Sequence, residues 1–230
     1  MMRKVAILFD LDHTLGVDQR LEEGVLSDIG KSHCGVTTSR EELVGILQEF
    51  RSGRLSLNEM LLKAFRDWNC PCMSLRDFVN EYESESLARV KSLFIPMPGT
   101  KEMLAGLSAQ GVALAILSNG WAKLQQAKAS IIQFPGPVLT SDELGFWKPD
   151  PKAFELALEK LKLEKSTTLY VGDSPETDVA GAKGVGLQTI WARLEGQTYP
   201  SGIAQPDYTI TSLLELPSIV ARLEKEAAPR

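Results

Sequence analysis

Three short apolar runs constrain this chain most. Val5 to Phe9, Val112 to Leu117 and Thr168 to Val171 show no polar alternation, and they break off at Asp10-Leu11-Asp12, Ser118-Asn119-Gly120 and Gly172-Asp173-Ser174. A strand with one wet face alternates apolar and polar residues, so an unbroken run reads as a strand buried on both faces of a parallel sheet. Leu187 to Trp191 and Tyr208 to Ile210 read as later strands. Helical patterns fill the intervals: Lys101 to Ala109, Trp121 to Ser130, Pro151 to Lys162 and Pro175 to Lys183. Asp150-Pro151 sets a capping side chain before a proline at the first helical position, and Ser174-Pro175 repeats the device. Strand and helix in alternation indicate an α/β fold, a doubly wound parallel sheet of Rossmann-like kind.

The stretch from Val17 to Leu93 reads differently. Leu43, Ile46, Leu47 and Phe50 share one helical face, as do Leu57, Met60, Leu61, Ala64, Phe65 and Trp68, and Leu75, Phe78, Val79 and Tyr82. Ser39…Glu42, Ser56…Glu59 and Ser74…Asp77 have capping-box spacing at the three helix starts. The expectation is an all-helical domain, residues 17–93, inserted after the first strand of a core made of residues 1–16 and 94–230. Ile95-Pro96-Met97-Pro98-Gly99 reads as the return hinge, and the Ala227-to-Arg230 tail as frayed.

Composition excludes several classes. In 230 residues there are 25 Lys+Arg against 30 Asp+Glu, a formal charge of −5. That balance lacks the basic footprint of a protein that binds nucleic-acid polymers or anionic membrane surfaces. Met1-Met2-Arg3-Lys4 precedes only five apolar residues, short of the ~7–15 of a signal peptide. No apolar run approaches the ~20 residues of a membrane span. The histidines, His13 and His33, have no second histidine at metal-ligand spacing, so a His-built zinc site is not expected. Cys34, Cys70 and Cys72 are odd in number and lack CxxC, which reads as free thiols in a reducing compartment; Cys70-Pro-Cys72 as a redox or metal pair is the minor alternative. The expected protein is cytoplasmic, a monomer or dimer with no membrane partner.

In an open α/β sheet, ligands bind outside the carboxyl ends of the strands. There the chain places Asp10 and Asp12, Ser118 and Asn119, and Gly172, Asp173 and Asp178, while Lys148-Pro149 follows a further strand end after Val138-Leu139. Like charges ~4 Å apart repel by about 4 kcal/mol at an effective dielectric of 20. A hard divalent cation removes that cost, and an all-oxygen donor set suits Mg²⁺. The cation recruits a phosphate, to which Ser118 and the backbone N–H groups of Asn119 and Gly120 can donate, with Lys148 adding positive charge. Asp10 is then placed as a nucleophile, and Asp12, two residues on, as a general acid.

Asp10-Leu11-Asp12-His13-Thr14, Ser118-Asn119-Gly120, Lys148-Pro149 and Gly172-Asp173-Ser174-Pro175-Glu176-Thr177-Asp178 resemble, in order, the four motifs of the haloacid dehalogenase (HAD) superfamily. The resemblance spans essentially the whole chain, with the helical insert where that superfamily carries its first-type cap. It implies an aspartyl-phosphate on Asp10, acid/base work by Asp12, and Mg²⁺ held by Asp10, the Asp12 backbone carbonyl and Asp173. It further implies phosphate held by Ser118, Asn119 and Lys148, with Asp178 supporting the metal shell. Members that cleave carbon–halogen bonds usually lack the second aspartate, so Asp12 points to a phosphate ester. Leu124-Gln125-Gln126 and Trp147-Lys148-Pro149-Asp150-Pro151-Lys152 look like the branch of nucleoside-5′-monophosphate and N-acylneuraminate-9-phosphate phosphatases. The function expected is therefore Mg²⁺-dependent hydrolysis of a small-molecule phosphate ester. Alternatives are a phosphomutase on the same scaffold, a haloacid dehalogenase, and a non-catalytic phospho-acceptor domain.

Plainer readings stand beside these. Ser118 and Asn119 also serve as a helix cap, and Asp178 as a first-turn acid favoured by the helix dipole. Strand alternation turns His13 away from both aspartates, as a packed or supporting residue. Gly181, Gly184 and Gly186 read as helix packing and a C-cap. Trp147 either stacks on a substrate or packs under the cap.

Overall fold

Strand β1 (Ala6–Phe9) runs down the centre of the sheet in the computed structural model, which describes residues 5–226. Met1-Met2-Arg3-Lys4 and the tail from Ala227 lie outside the described residues. After β1 come β2 (Gly16–Asp18), then α1 (Leu21–Ile29), α2 (Arg40–Arg51), α3 (Leu57–Asp67) and α4 (Leu75–Leu93), and then β3 (Phe94–Pro96). The rest alternates: α5 (Thr100–Ala109), β4 (Ala113–Ser118), α6 (Ala122–Ile131), β5 (Val138–Thr140), α7 (Ser141–Leu144), α8 (Pro151–Leu161), β6 (Thr168–Gly172), α9 (Gly181–Gly184), β7 (Gln188–Ala192), β8 (Tyr208–Ile210) and α10 (Leu216–Glu226). Six strands form one sheet in the order β5-β4-β1-β6-β7-β8, every pairing parallel.

The unbroken apolar runs have the cause expected of them. Ile7, Phe9, Leu114, Ile116, Leu169 and Val171 face one side of the sheet, where they join the core of Met103, Leu107, Leu124 and Val220. Leu8, Ala115, Leu117 and Tyr170 face the other, against Ala153, Phe154, Ala157 and Ala182 of α8 and α9. Both faces are dry, so neither set is polar. Gly181 is packed so closely that a Cβ there would come within 2.7 Å of the Phe154 ring.

The inserted segment is helical. The boxes at Ser39/Glu42 and Ser56/Glu59 close in both directions. At Ser74 only half a box forms: the Ser74 side chain accepts from the Asp77 N–H, and no return bond reaches the Ser74 backbone. Asp77 is one methylene shorter than glutamate, which accounts for the missing half. The stretch read as the return hinge pairs with β2 in a two-stranded antiparallel ribbon, Gly16 opposite Pro96 and Asp18 opposite Phe94.

Sequence periodicity had not marked α1, which starts without a side-chain cap at Arg20 (φ 58°) and continues into a π-helical turn, Gly30–Cys34. That turn overturns the expectation of three free thiols. Cys34 is disulfide-bonded to Cys70, with Cα atoms 4.2 Å apart across a sequence separation of 36, and Cys72 stays free and exposed. Packing of α1 beside α4 and of α2 on α3 brings the two loops together, and no local spacing records that approach.

Two glycines with opposite environments make a stability test. Gly45 lies inside α2 with open space around it, whereas Gly53 has φ +75° and a Cβ there would overlap Trp147. Gly45→Ala should stabilise by about 0.5–1 kcal/mol through helix propensity. Gly53→Ala should cost about 1–2 kcal/mol for the left-handed backbone alone. Urea unfolding of the two variants checks the sign of each, and shifts of like sign would contradict this packing.

Candidate active site

Every element of the site leaves the same edge of the sheet. The Asp10 N–H donates to the Val171 carbonyl at 2.8 Å, continuing the β1–β6 ladder one residue beyond the strand. The chain then turns tightly, with the N–H of Leu15 on the carbonyl of Leu11 (2.9 Å) and that of His13 on Gly16 (2.8 Å). His13 adopts φ 63°, which breaks the alternation assumed for it. Its imidazole is therefore exposed, 3.7 Å from Glu195, rather than packed.

Lys148 is the hub of one half of the site. Its buried ammonium donates to Asp10 Oδ1 (2.7 Å), Asp178 Oδ1 (2.7 Å) and the Tyr170 hydroxyl (2.8 Å). Asp178 also accepts the Ser174 N–H at 3.0 Å. Asp178 presses so closely on Gly172 that no side chain fits there. Burial would lower the Lys148 ammonium, but Asp10 and Asp178 outweigh it and hold the pKa well above the usual lysine value. Asn119 locks this loop from the side. Its amide donates to the Lys148 carbonyl (2.8 Å) and accepts from the Lys148 N–H (2.9 Å) and the Ser141 hydroxyl (2.5 Å). With its side chain so occupied, the Asn119 backbone is the part that can meet a phosphate.

One oxygen each from Asp10, Asp173 and Asp178 lie within 4.8 Å of one another. The expected metal donors were Asp10, the Asp12 backbone carbonyl and Asp173, with Asp178 behind them. The three carboxylates that converge are those of Asp10, Asp173 and Asp178, while the Asp12 side chain turns to α6. The triad carries more negative charge than Lys148 neutralises. Burial, reinforced by the Asp178 charge and opposed by Lys148, pushes the Asp10 carboxyl up to about 7. Burial, with Asp178 and Asp10, pushes Asp173 up to about 8. An all-oxygen donor set with uncompensated charge, two of its carboxylates buried and Asp173 half-buried, fits a small hard cation.

Asp12 faces α6. Its Oδ2 accepts from Gln125 (2.6 Å) and its Oδ1 from Lys128 (2.7 Å). Burial raises the Asp12 carboxyl, but Lys128 and the Gln125 hydrogen bond outweigh it, and the group sits below its usual range. Ser118 Oγ accepts a second bond from Gln125 (2.7 Å), which leaves its own hydrogen to donate outward.

A cavity of about 190 Å³ opens over these groups, roofed by Glu22, Phe50 and Arg51 of the inserted helices. Arg51 pairs with Glu22 at 2.9 Å, and its carbonyl accepts from Asn119 at 3.1 Å. Trp147 lies under the insert against Gly53, which decides for packing over substrate stacking.

Sequence reasoning had passed over Lys128, Arg51, Asp18 and Glu22. A signal for one was present: Gln125 and Lys128 interrupt the buried face of α6 between Leu124 and Ala129, and buried lysines are rare.

Residues 5–186 match the haloacid dehalogenase-like hydrolase family, and the chain belongs to it. It is an enzyme of the phosphatase kind. A glyceraldehyde 3-phosphate phosphatase of Methanocaldococcus jannaschii is 30% identical over 96% of this chain and 98% of its own. Among solved structures, a HAD phosphatase from Thermococcus onnurineus (26% identity, TM-score 0.70) covers 94% of this chain and 97% of its own. A 2-haloacid dehalogenase from Pseudomonas syringae (25% identity, TM-score 0.74) covers 96% and 100%. No helix among the described residues is long and apolar enough to cross a membrane.

Proposed function

We propose that this hydrolase is a Mg²⁺-dependent phosphomonoesterase working through an aspartyl-phosphate on Asp10. The observation that carries the reading is the convergence of the Asp10, Asp173 and Asp178 carboxylates beside Lys148 and the outward Ser118 hydroxyl. Asp10, Asp173 and Asp178 would hold the cation, with the Asp12 backbone carbonyl as the family's further donor. Bound there, the cation supplies the positive charge that offsets the triad and polarises a phosphoryl oxygen.

The residues of the chain do the rest. Lys148 holds Oδ1 of Asp10, so Oδ2 is the attacking oxygen. It bonds to phosphorus while the ester P–O bond breaks, and the departing oxygen keeps the electron pair and takes a proton from Asp12. Asp12 carries that proton once an oxygen has left the Gln125 and Lys128 contacts that keep it ionised. Water then attacks the phosphoryl group and gives its proton to the Asp12 carboxylate, the P–O bond to Asp10 breaks, and orthophosphate leaves. Ser118 and the backbone N–H groups of Asn119 and Gly120 bind the phosphoryl oxygens throughout.

The domain division we propose is a core of residues 1–16 and 94–230 and a cap of residues 17–93, hinged at the β2–β3 ribbon, with Phe50 and Arg51 closing over the substrate. A cavity of about 190 Å³ is small beside the about 300–1,000 Å³ of drug-sized ligand sites. It favours a small sugar phosphate over a nucleotide, in line with the glyceraldehyde 3-phosphate phosphatase named for the Methanocaldococcus relative.

Metal loading tests the reading. With Asp10 at about 7 and Asp173 at about 8, both are substantially protonated at pH 7, and a cation that binds them expels protons. Phosphate release from p-nitrophenyl phosphate should vanish in EDTA and return with Mg²⁺. Titration calorimetry in two buffers should show roughly one proton released per Mg²⁺ at pH 7, fading above pH 9 as both groups ionise unaided. Turnover that persists in chelator, or binding with no proton release at pH 7, overturns the metal assignment. Glyceraldehyde 3-phosphate, other sugar phosphates and nucleotides compared by kcat/KM then rank the substrate classes.

A further inference from the structure

Asp12 stands apart from the other site carboxylates because α6 grips both of its oxygens. Gln125 and Lys128 are three residues apart, hence on one helical face, and each is 2% exposed. Gln125 joins Asp12 to Ser118. Lys128 joins Asp12 to Asp18 of β2, 3.0 Å away, and its ammonium lies 5.7 Å from the centre of the Phe94 ring in β3. Asp18 and Phe94 are themselves paired across the ribbon that carries the inserted helices. The inner face of α6 needs no charge for packing, since apolar residues of similar volume often replace a buried ion pair without loss of stability.

We infer that Gln125 and Lys128 are positioning residues that set where the Asp12 carboxylate stands, and that Lys128 makes this position depend on the hinge ribbon through Asp18. The inference rests on the acid/base reading of Asp12 given above. With Nε2 of Gln125 on one oxygen and Nζ of Lys128 on the other, Asp12 can only accept hydrogen bonds where it stands. Delivering a proton to a departing oxygen requires one carboxylate oxygen to be released while the other stays held, so the contact that remains on Lys128 aims the acid. The ribbon enters and leaves the inserted helices at Leu21 and Leu93, so a shift of those helices moves the second anchor of Lys128. Seating of the helices over the substrate and seating of the acid are thereby one event.

The test compares Lys128→Met, Lys128→Arg, Gln125→Met and Asp18→Asn over phosphate esters whose leaving groups range from p-nitrophenol to simple alcohols. Lys128→Met should lose about 10²-fold in kcat/KM on alkyl esters and roughly threefold on p-nitrophenyl phosphate, because general-acid assistance is worth about 10²–10⁴ only where the leaving group is basic. Lys128→Arg should recover most of the alkyl loss. Asp18→Asn, which keeps the Lys128 contact to Asp12 and removes the charge from its link to the hinge, should lose about tenfold on alkyl esters. A crystal structure of Lys128→Met should show the Asp12 carboxylate displaced. Parallel losses on alkyl and aryl esters, or an Asp12 carboxylate unmoved in that crystal structure, overturn the inference. If Lys128→Met does not fold, Gln125→Met and Asp18→Asn decide by the same criteria. A wild-type protein without phosphatase activity refutes the proposed function instead, and leaves the crystal structure to judge the positioning.

Discussion

Asp12→Asn is expected to divide substrates by their leaving groups. An alkoxide departing from a sugar is strongly basic and needs a proton as its P–O bond breaks, whereas p-nitrophenolate does not. The loss in kcat/KM should reach about 10²–10⁴-fold, about 3–5 kcal/mol, on an alkyl phosphate and be far smaller on p-nitrophenyl phosphate. Because kcat/KM reports steps up to the first irreversible one, it isolates phosphorylation of Asp10 from later hydrolysis. With the aryl ester, phosphoenzyme should accumulate, since the base for the attacking water is gone. Quenched-flow trapping of the acyl-phosphate reads this directly. Asp10→Asn should erase both activities, as no covalent intermediate can form. Equal depression of both substrates by Asp12→Asn, with nothing trapped, would assign Asp12 to structure alone.

Lys148→Met is expected to combine lost activity with a pH-dependent loss of stability. The ammonium bridges Asp10 and Asp178, and all three side chains are buried. Breaking a buried ion pair by removing one partner typically costs about 3–5 kcal/mol. The sign of the pH effect follows from which state binds more protons. Lys148 lowers the Asp10 carboxyl, so its removal raises that carboxyl further above its unfolded value. The folded variant then holds more protons than the unfolded chain, and its stability rises as pH falls. Urea unfolding in chelator should show the gap from wild type narrowing between pH 8 and pH 5. Added Mg²⁺ should narrow it at pH 8 as well, because the cation stabilises the folded state of both proteins by mass action and binds more tightly where no ammonium shares the carboxylates. A gap independent of both pH and Mg²⁺ contradicts the charge argument.

Much of the fold was legible because the signals were local. Tyr208–Ile210 forms the strand read from its residues, and the core helices begin or end within a residue or so of the expected positions, apart from the wide π-helical turn Pro175–Ala180 that carries Asp178. Asp150 and Ser174 cap as their prolines suggested. What escaped were features whose cause lay elsewhere. The first helix of the insert lacks a capping side chain, and β2 exists only because β3, about 80 residues further on, pairs with it. Asp77 had the spacing of a capping box but not the length to close it.

Chain order alone determined that Asp10, Asp12, Ser118, Lys148 and Asp173 leave one edge of a parallel sheet, because apolar runs and the residues that end them are adjacent in sequence. The direction each side chain takes from that edge was decided only by tertiary structure. Lys128 meets Asp12 across 116 residues and Lys148 meets Asp10 across 138. Cys34 finds Cys70 instead of Cys72, and His13 turns outward on a left-handed residue in a tight turn. Each contact joins side chains on separate elements. Such contacts depend on strand order and on how far each helix is rotated about its axis, and local periodicity carries no record of either.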